Sequence, residues 1–182
     1  MKILRLDCSG HPVSWLNFED AVTLVAKSQV LWSLGETQVT LKGGRNRLGV
    51  ISSIDLPTII ASEGKQRFEC ESPTLSNRAL FRRDQNLCLY CGNTFLDSFL
   101  TRDHVTPQCY RGPDIWENVV SACQRCNHHK GGRTPEEASM PLLAIPFVPN
   151  PFEFMFLSNR AIISDQMDYL KGRFSNRRVW AA

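Results

Sequence analysis

Two cysteine pairs, Cys88-Leu-Tyr-Cys91 and Cys123-Gln-Arg-Cys126, constrain this chain more than any other feature. Together they supply four thiolates, the tetrahedral set that Zn2+ takes in a closed structural site. Positions 92–122 separate the inner cysteines, a longer interval than a simple zinc ribbon needs, so a bound ion would staple the two ends of an inserted hairpin. Redox dithiols and unliganded thiols are the competing readings, although neither pair lies in an evident thioredoxin-like strand–helix context. Cys8, Cys70 and Cys109 stand alone and read as small buried hydrophobes or inert thiols.

The rest of the sequence favours metal over disulfide chemistry. The opening segment carries Arg5 and Asp7 where a signal peptide needs an unbroken apolar run. A cytoplasmic chain is therefore expected, and thiols stay reduced there. The longest apolar stretch, Met140 to Phe156, is interrupted by Pro141, Pro146, Pro149 and Pro151, which excludes a membrane-spanning helix. With 182 residues, 42% apolar and 21% charged, the composition fits one domain or a small domain with elaborations and excludes wholesale disorder. A net charge of +3 is too small to identify a nucleic-acid partner. Its distribution adds two mildly basic segments: eight basic against five acidic residues over 78–133, and five against two over 160–182.

Up to about Glu71 the chain reads as mixed α and β. Asn17 can cap a helix through about Ser28, with Glu19 and Asp20 in its first turn. Val30 to Leu34, Gln38 to Leu41 and Leu48 to Ile51 read as short strands separated by glycines, and Leu56 to Ala61 as another, placed at an edge by Pro57. Trp15 and Trp32 read as core anchors. Ser76 to Asp84 suits a short capped helix whose Arg78, Arg82 and Arg83 share a solvated face. After Cys126 a short helix should run to the glycines 131–132. Thr134-Pro-Glu-Glu137 restarts a helix with a capping box. Residues 141–151 read as an extended proline-rich strap, Ile162 to Leu170 as a helix, and the end around Arg173, Arg177, Arg178 and Trp180 as loosely held.

Between the cysteine pairs lies Thr101-Arg-Asp103-His104-Val-Thr-Pro-Gln108. It places a hard oxygen donor beside an imidazole. On a strand the two side chains point to opposite faces, so one can hold a metal while the other meets a substrate. Asn118, in Trp116-Glu-Asn118, follows His104 by fourteen positions, and Asn127 follows nine later. With Cys88-x2-Cys91, Arg111-Gly112, Cys123-x2-Cys126-Asn127 and Lys130-Gly131, this set resembles the HNH endonucleases over about residues 76–139. The spacing from Asp103-His104 to the two asparagines is also similar to that in the HNH domain of RNA-guided CRISPR nucleases. Asn127 would fill the third letter, making an H-N-N variant.

The resemblance implies an α+β protein. Its ββα-metal (His-Me finger) core, at 76–140, would be stapled by Zn2+ on Cys88, Cys91, Cys123 and Cys126. An N-terminal α/β segment of unknown role (1–75) would precede it, and a proline-rich strap with a basic C-terminal extension (141–182) would follow. The implied activity is metal-dependent hydrolysis of double-stranded DNA, as an endonuclease or nickase, leaving 5′-phosphate and 3′-hydroxyl ends. His104 would be the general base, since imidazole can take a proton from water near neutral pH. Asp103 and Asn127 would hold Mg2+ or Mn2+, and Asn118 would lock the hairpin. Lys130, three positions after Asn127 on the same helical face, would meet a phosphate. Arg102, Arg111, Arg125 and Arg133 would add backbone contacts. His128 and His129 lie about 100° and 200° round the helix from Asn127, so they read as surface or phosphate contacts, although other HNH branches use a histidine on this helix. A homodimer, or a phage or mobile-element partner, fits the implied activity. A zinc-stapled DNA-binding module without cleavage is the alternative.

Overall fold

The computed structural model describes residues 2–63 and 73–175. In chain order its elements are β1 (Ile3–Leu6), β2 (Pro12–Leu16), α1 (Phe18–Ala26), β3 (Val30–Arg45), β4 (Ile51–Ser62), α2 (Asn77–Arg83), β5 (Leu100–His104), β6 (Val119–Cys123), α3 (Gln124–Lys130), α4 (Pro151–Ser158) and α5 (Ser164–Lys171). The fold is thus mixed α and β. It divides into two compact units: of the described residues, 2–63 and 150–175 form one and 73–149 the other. Cys70, Arg177, Arg178 and Trp180 lie outside the described residues. Among those described, no helix is long and apolar enough to cross a membrane.

The first unit is a four-stranded sheet of order β2-β1-β4-β3, apolar on both faces of its central strands. Side chains alternate across the pleat. Ile3, Leu56 and Ile60 join Leu16 of β2 and Ala21 of α1 in one cluster. Leu4, Leu6, Ile59 and Ala61 meet Phe152 and Met155 of α4 and Leu170 of α5 in the other. Asn17 caps α1 by accepting the Asp20 N–H. Trp15 and Trp32 pack at the margin of the second cluster, half-buried. Gln166, fully buried, donates to the Lys2 and Thr58 carbonyls and pins α5 to β1 and β4.

Several sequence expectations change here. The first two glycine-separated strands, Val30 to Leu34 and Gln38 to Leu41, are parts of one 16-residue strand, β3, whose register with β4 shifts at four places instead of breaking. Leu48 to Ile51 lies in the turn that follows, and only Ile51 joins β4. A shift spans Gly35, whose φ is +83° and where a Cβ would lie 1.9 Å from Thr58 Oγ1. Only glycine fits there. Pro57 lies on an internal strand, not an edge. Its missing N–H is tolerated because β1 pairs with β4 only from Ile59, and because Pro57 faces Thr37 between two register shifts of β3. The extended strap ends at Asn150, where Asn150 and Glu153 form a reciprocal capping box and Pro151 opens α4. Thr134 and Glu137 also form a capping box, but it closes a single turn ending at Ser139 (φ +53°) instead of a helix. Cys8 and Cys109 are exposed, not buried hydrophobes.

In the second unit, Ser76 caps α2 by accepting the Ala79 N–H. Arg83, expected on a solvated face, is 3% exposed. Its guanidinium lies 5.6 and 5.3 Å from the ring centres of Trp116 and Phe147. It donates to the carbonyls of Trp116, Val119 and Phe147 and pairs with Asp84 at 2.8 Å. Asp84 in turn accepts the Ser121 N–H at 2.7 Å. The planar fork thus satisfies backbone oxygens at the entry to β6, bracing the strand that carries Cys123.

Candidate active site and metal centre

The four cysteines come together. The sulfurs of Cys88, Cys91, Cys123 and Cys126 all lie within 4.8 Å of one another. Tetrahedral thiolates around a zinc-sized ion need sulfurs roughly 3.8 Å apart, from bonds of about 2.3 Å, so this set fits a metal. Local backbone geometry builds each half. Cys88 donates its N–H to Asn93 O and accepts the Gly92 N–H on its carbonyl, closing a knuckle. Cys123 caps α3, its sulfur accepting the Cys126 N–H. Burial pushes the Cys88 thiol up, yet backbone donors from Cys123, Cys91 and Tyr90 together bring it below the ordinary thiol value. Burial, then the neighbouring sulfurs, pushes Cys126 above it. Crowded thiols cannot all ionise unaided; a cation removes that conflict.

β5 and β6 form an antiparallel hairpin, with Asp103 opposite Val120 and His104 opposite Val119, and α3 follows β6 directly. Asp103 points inward and is 5% exposed. Its Oδ1 accepts from Lys130 Nζ at 3.1 Å, and its Oδ2 accepts from the Tyr90 hydroxyl at 2.5 Å. Burial first, then the bond to Asp103, raises the Tyr90 phenol above its ordinary value, so it stays a donor. Lys130 also donates to His104 O at 2.9 Å. Three positions earlier on the same face of α3, Asn127 Nδ2 donates to Thr101 Oγ1 at 2.8 Å. Its amide nitrogen is thereby tied to β5, which assigns Oδ1 as the donor atom for any cation.

Side chains orient the His104 ring: its Nε2 lies 3.0 Å from Asp114 Oδ1 and 3.4 Å from Gln108 Nε2. Asp114 is the residue the sequence reading missed, because a lone acid in Arg111-Gly-Pro-Asp114 carries no spacing signal. Arg102 donates to its other oxygen. That hydrogen bond, ahead of the opposing desolvation, holds the Asp114 carboxyl below the usual range. Asn118 closes the intervening loop: it accepts the Thr106 N–H and donates to Thr106 O and Pro113 O. Gly112 permits the approach, since a Cβ there would lie 1.8 Å from Thr106 O.

Asp103, His104, Asn127 and Lys130 line one open depression of about 310 Å3, with Gln108 and Gly131 on its rim. The basic residues assigned to phosphates are not equivalent. Arg111 and Arg125 are exposed. Lys130 is 1% exposed, with its ammonium on Asp103 and a carbonyl, so in this arrangement it offers nothing to a phosphate. Arg102 is held by Asp114 and Asn77. Arg133, although exposed, donates to the Lys130 and His129 carbonyls at the C-terminus of α3. His128 and His129 are exposed: His128 lines an adjoining depression with Asn127, and His129 faces the cysteine side.

No curated protein matches this chain. Among solved structures, the Type II-C Cas9 enzyme from Actinomyces naeslundii is similar at 23% identity and a TM-score of 0.30, over 58% of this chain and 13% of that one. The chain spans little of that enzyme's length, and a likeness of this size carries no argument. The family described as HNH endonuclease matches residues 88–143, which hold both cysteine pairs, the β5–β6 hairpin and α3. Residues 88–143 are thus similar to the HNH endonucleases.

Proposed function

We infer that the chain is a metal-dependent DNA endonuclease or nickase whose ββα core is β5, β6 and α3, stapled by zinc on the four cysteines. One observation carries the reading: Asp103, His104 and Asn127, drawn from a strand and a helix, line the same depression. The all-sulfur, four-ligand set suits a closed structural zinc site. Asp103 and Asn127 Oδ1 supply hard oxygens for Mg2+ or Mn2+. Such a cation would supply Lewis acidity at a phosphate oxygen and at the departing 3′ oxygen. His104 takes the proton of the attacking water. Asp114, accepting from Nε2–H, fixes the tautomer that leaves the lone pair on Nδ1. Asn118 holds the loop after His104 so that the ring keeps its place. Arg111 and Arg125 are the exposed cations for the DNA backbone. The products would carry 5′-phosphate and 3′-hydroxyl ends.

The contact between Lys130 and Asp103 favours a second reading, a zinc-stapled DNA-binding module that does not cut, because the ammonium occupies one side of the carboxylate. Supercoiled plasmid incubated with the protein and Mg2+, Mn2+ or EDTA separates the two. Cleavage that needs the divalent ion and falls about 10²–10⁴-fold in His104→Ala, with zinc content retained, is the expected result. Binding without cleavage selects the second reading, and undiminished cleavage by His104→Ala removes the proposed base.

A further inference from the structure

The β3–β4 ribbon outruns its sheet. Among the described residues, β1 pairs with β4 only at Ile59, Ile60 and Ala61, and no third strand lies beside the pairs from Val39–Leu56 to Arg45–Ile51. One face of this stretch still serves the core, where Leu41 and Ile54 pack against the α1 side of the sheet. Every residue from Lys42 to Val50 is exposed.

Charge and register on this ribbon are both ordered. Between Glu36 and Asp55 the chain holds Lys42, Arg45 and Arg47 and no acidic residue. None of the three has an ion-pair partner among the described residues. Lys42 pairs with Ser53 and Arg45 with Ile51, so three steps on β3 match two on β4. This bulge at Gly43-Gly44 puts Lys42 and Arg45 on one face, opposite the core-facing Leu41 and Ile54, roughly 7 Å apart along the strand. Asp55, at the root of that face, accepts the Thr40 hydroxyl. The tip is built, not loose: Asn46 Oδ1 accepts the N–H groups of Leu48 and Val50, and its own N–H donates to Val50 O. That loop presents Arg47 and a leucine 87% exposed.

We propose that this ribbon is a duplex-DNA-binding arm, with Lys42 and Arg45 on phosphates and the 46–50 tip, bearing Arg47 and Leu48, entering a groove. A two-stranded ribbon is one of the shapes a DNA groove admits. Cations running along one face match a line of phosphates, and Leu48 gains apolar contact with sugars or base edges. The proposal rests on DNA being the substrate of the HNH segment. An anionic membrane would also attract these cations, but three exposed apolar residues on a narrow ribbon make a poor lipid anchor beside an amphipathic helix.

The test uses the full chain in EDTA, so that binding is read without hydrolysis. Anisotropy of a labelled duplex of about 30 base pairs is followed between about 50 and 200 mM salt. Lys42→Ala/Arg45→Ala/Arg47→Ala is expected to weaken binding and reduce the slope of log affinity against log salt by about 2–3, with zinc content and circular dichroism unchanged. Arg45→Lys/Arg47→Lys, which keeps the charge, should retain the slope. An unchanged slope in the triple variant overturns the proposal. So does a triple variant that loses binding to phosphatidylserine vesicles but not to the duplex. A wild-type protein that never cuts plasmid yet shows the arm-dependent slope sinks the nuclease reading alone. A cutting protein with an arm-independent slope sinks this one alone.

Discussion

The two units differ in what they add to an apolar core. The sheet unit buries apolar side chains on both faces, from Ile3 and Leu4 to Phe152 and Leu170, and its buried acids, Asp7 and Glu153, receive backbone N–H groups. The HNH-bearing unit also buries apolar side chains, among them Leu80, Phe81, Trp116, Val119 and Val120. It adds two buried ion pairs, Arg83–Asp84 and Lys130–Asp103, and a cluster around its cysteines whose buried members are Cys88, Ala122 and Cys123. Apolar burial is non-directional and tolerates local change. Ion pairs and sulfur ligands fix geometry closely but fail abruptly when one partner is lost. The site proposed for this unit, with an imidazole and a carboxylate to aim, would gain from the second kind of construction.

Removing the metal should split the units most widely. Structural zinc contributes an apparent ~10–16 kcal/mol near neutral pH. A strong chelator, or Cys123→Ser, is therefore expected to unfold residues 73–149 while residues 2–63 and 150–175 keep their hydrogen-exchange protection. Equal protection of both units in metal-free Cys123→Ser would erase the contrast. Next in size, Arg83→Met leaves Asp84 buried without its cation and removes one donor from each of three carbonyls. A loss of about 3–5 kcal/mol, confined to the HNH-bearing unit in urea unfolding, is expected. Leu4→Ala is the counterpart in the sheet unit, costing about 2–5 kcal/mol, and should leave the zinc content at its full value.

The smallest effect is acid loss of the Asp114 contacts. Arg102, then His104, lowers the folded pKa of this carboxyl, so its stabilisation is in place above the unfolded carboxylate range and disappears as pH falls through the folded value. Its side chain is 49% exposed, which keeps the effect small. Asp114→Asn should flatten the acid limb of stability for the HNH-bearing unit alone.

How legible each part was follows from the same contrast. Caps were readable because they are local: Asn17 and Ser76 each precede a helix at the position their side chains serve. The cysteine spacing was readable because four ligands must meet. The helix α4 was obscured because Phe152 to Leu157 is apolar almost all round and shows no helical stripe, although Asn150-Pro151-x-Glu153 carried its capping signal. The β3–β4 ribbon was hidden by its glycines, which punctuate a sequence but only shift a register. Arg83 and Lys130 looked like surface cations because sequence shows charge without showing the carbonyls and carboxylates that receive it. Asp114 reaches His104 through loop closure, which no periodicity encodes.

Tyr90 stands between two of the sulfur ligands, yet its hydroxyl grips Asp103. Were an ion held by the four sulfurs, losing it would loosen the knuckle that carries Tyr90, and with it the hydroxyl bond that orients Asp103. The group that would fold this segment would then also set the direction of a carboxylate on the neighbouring strand.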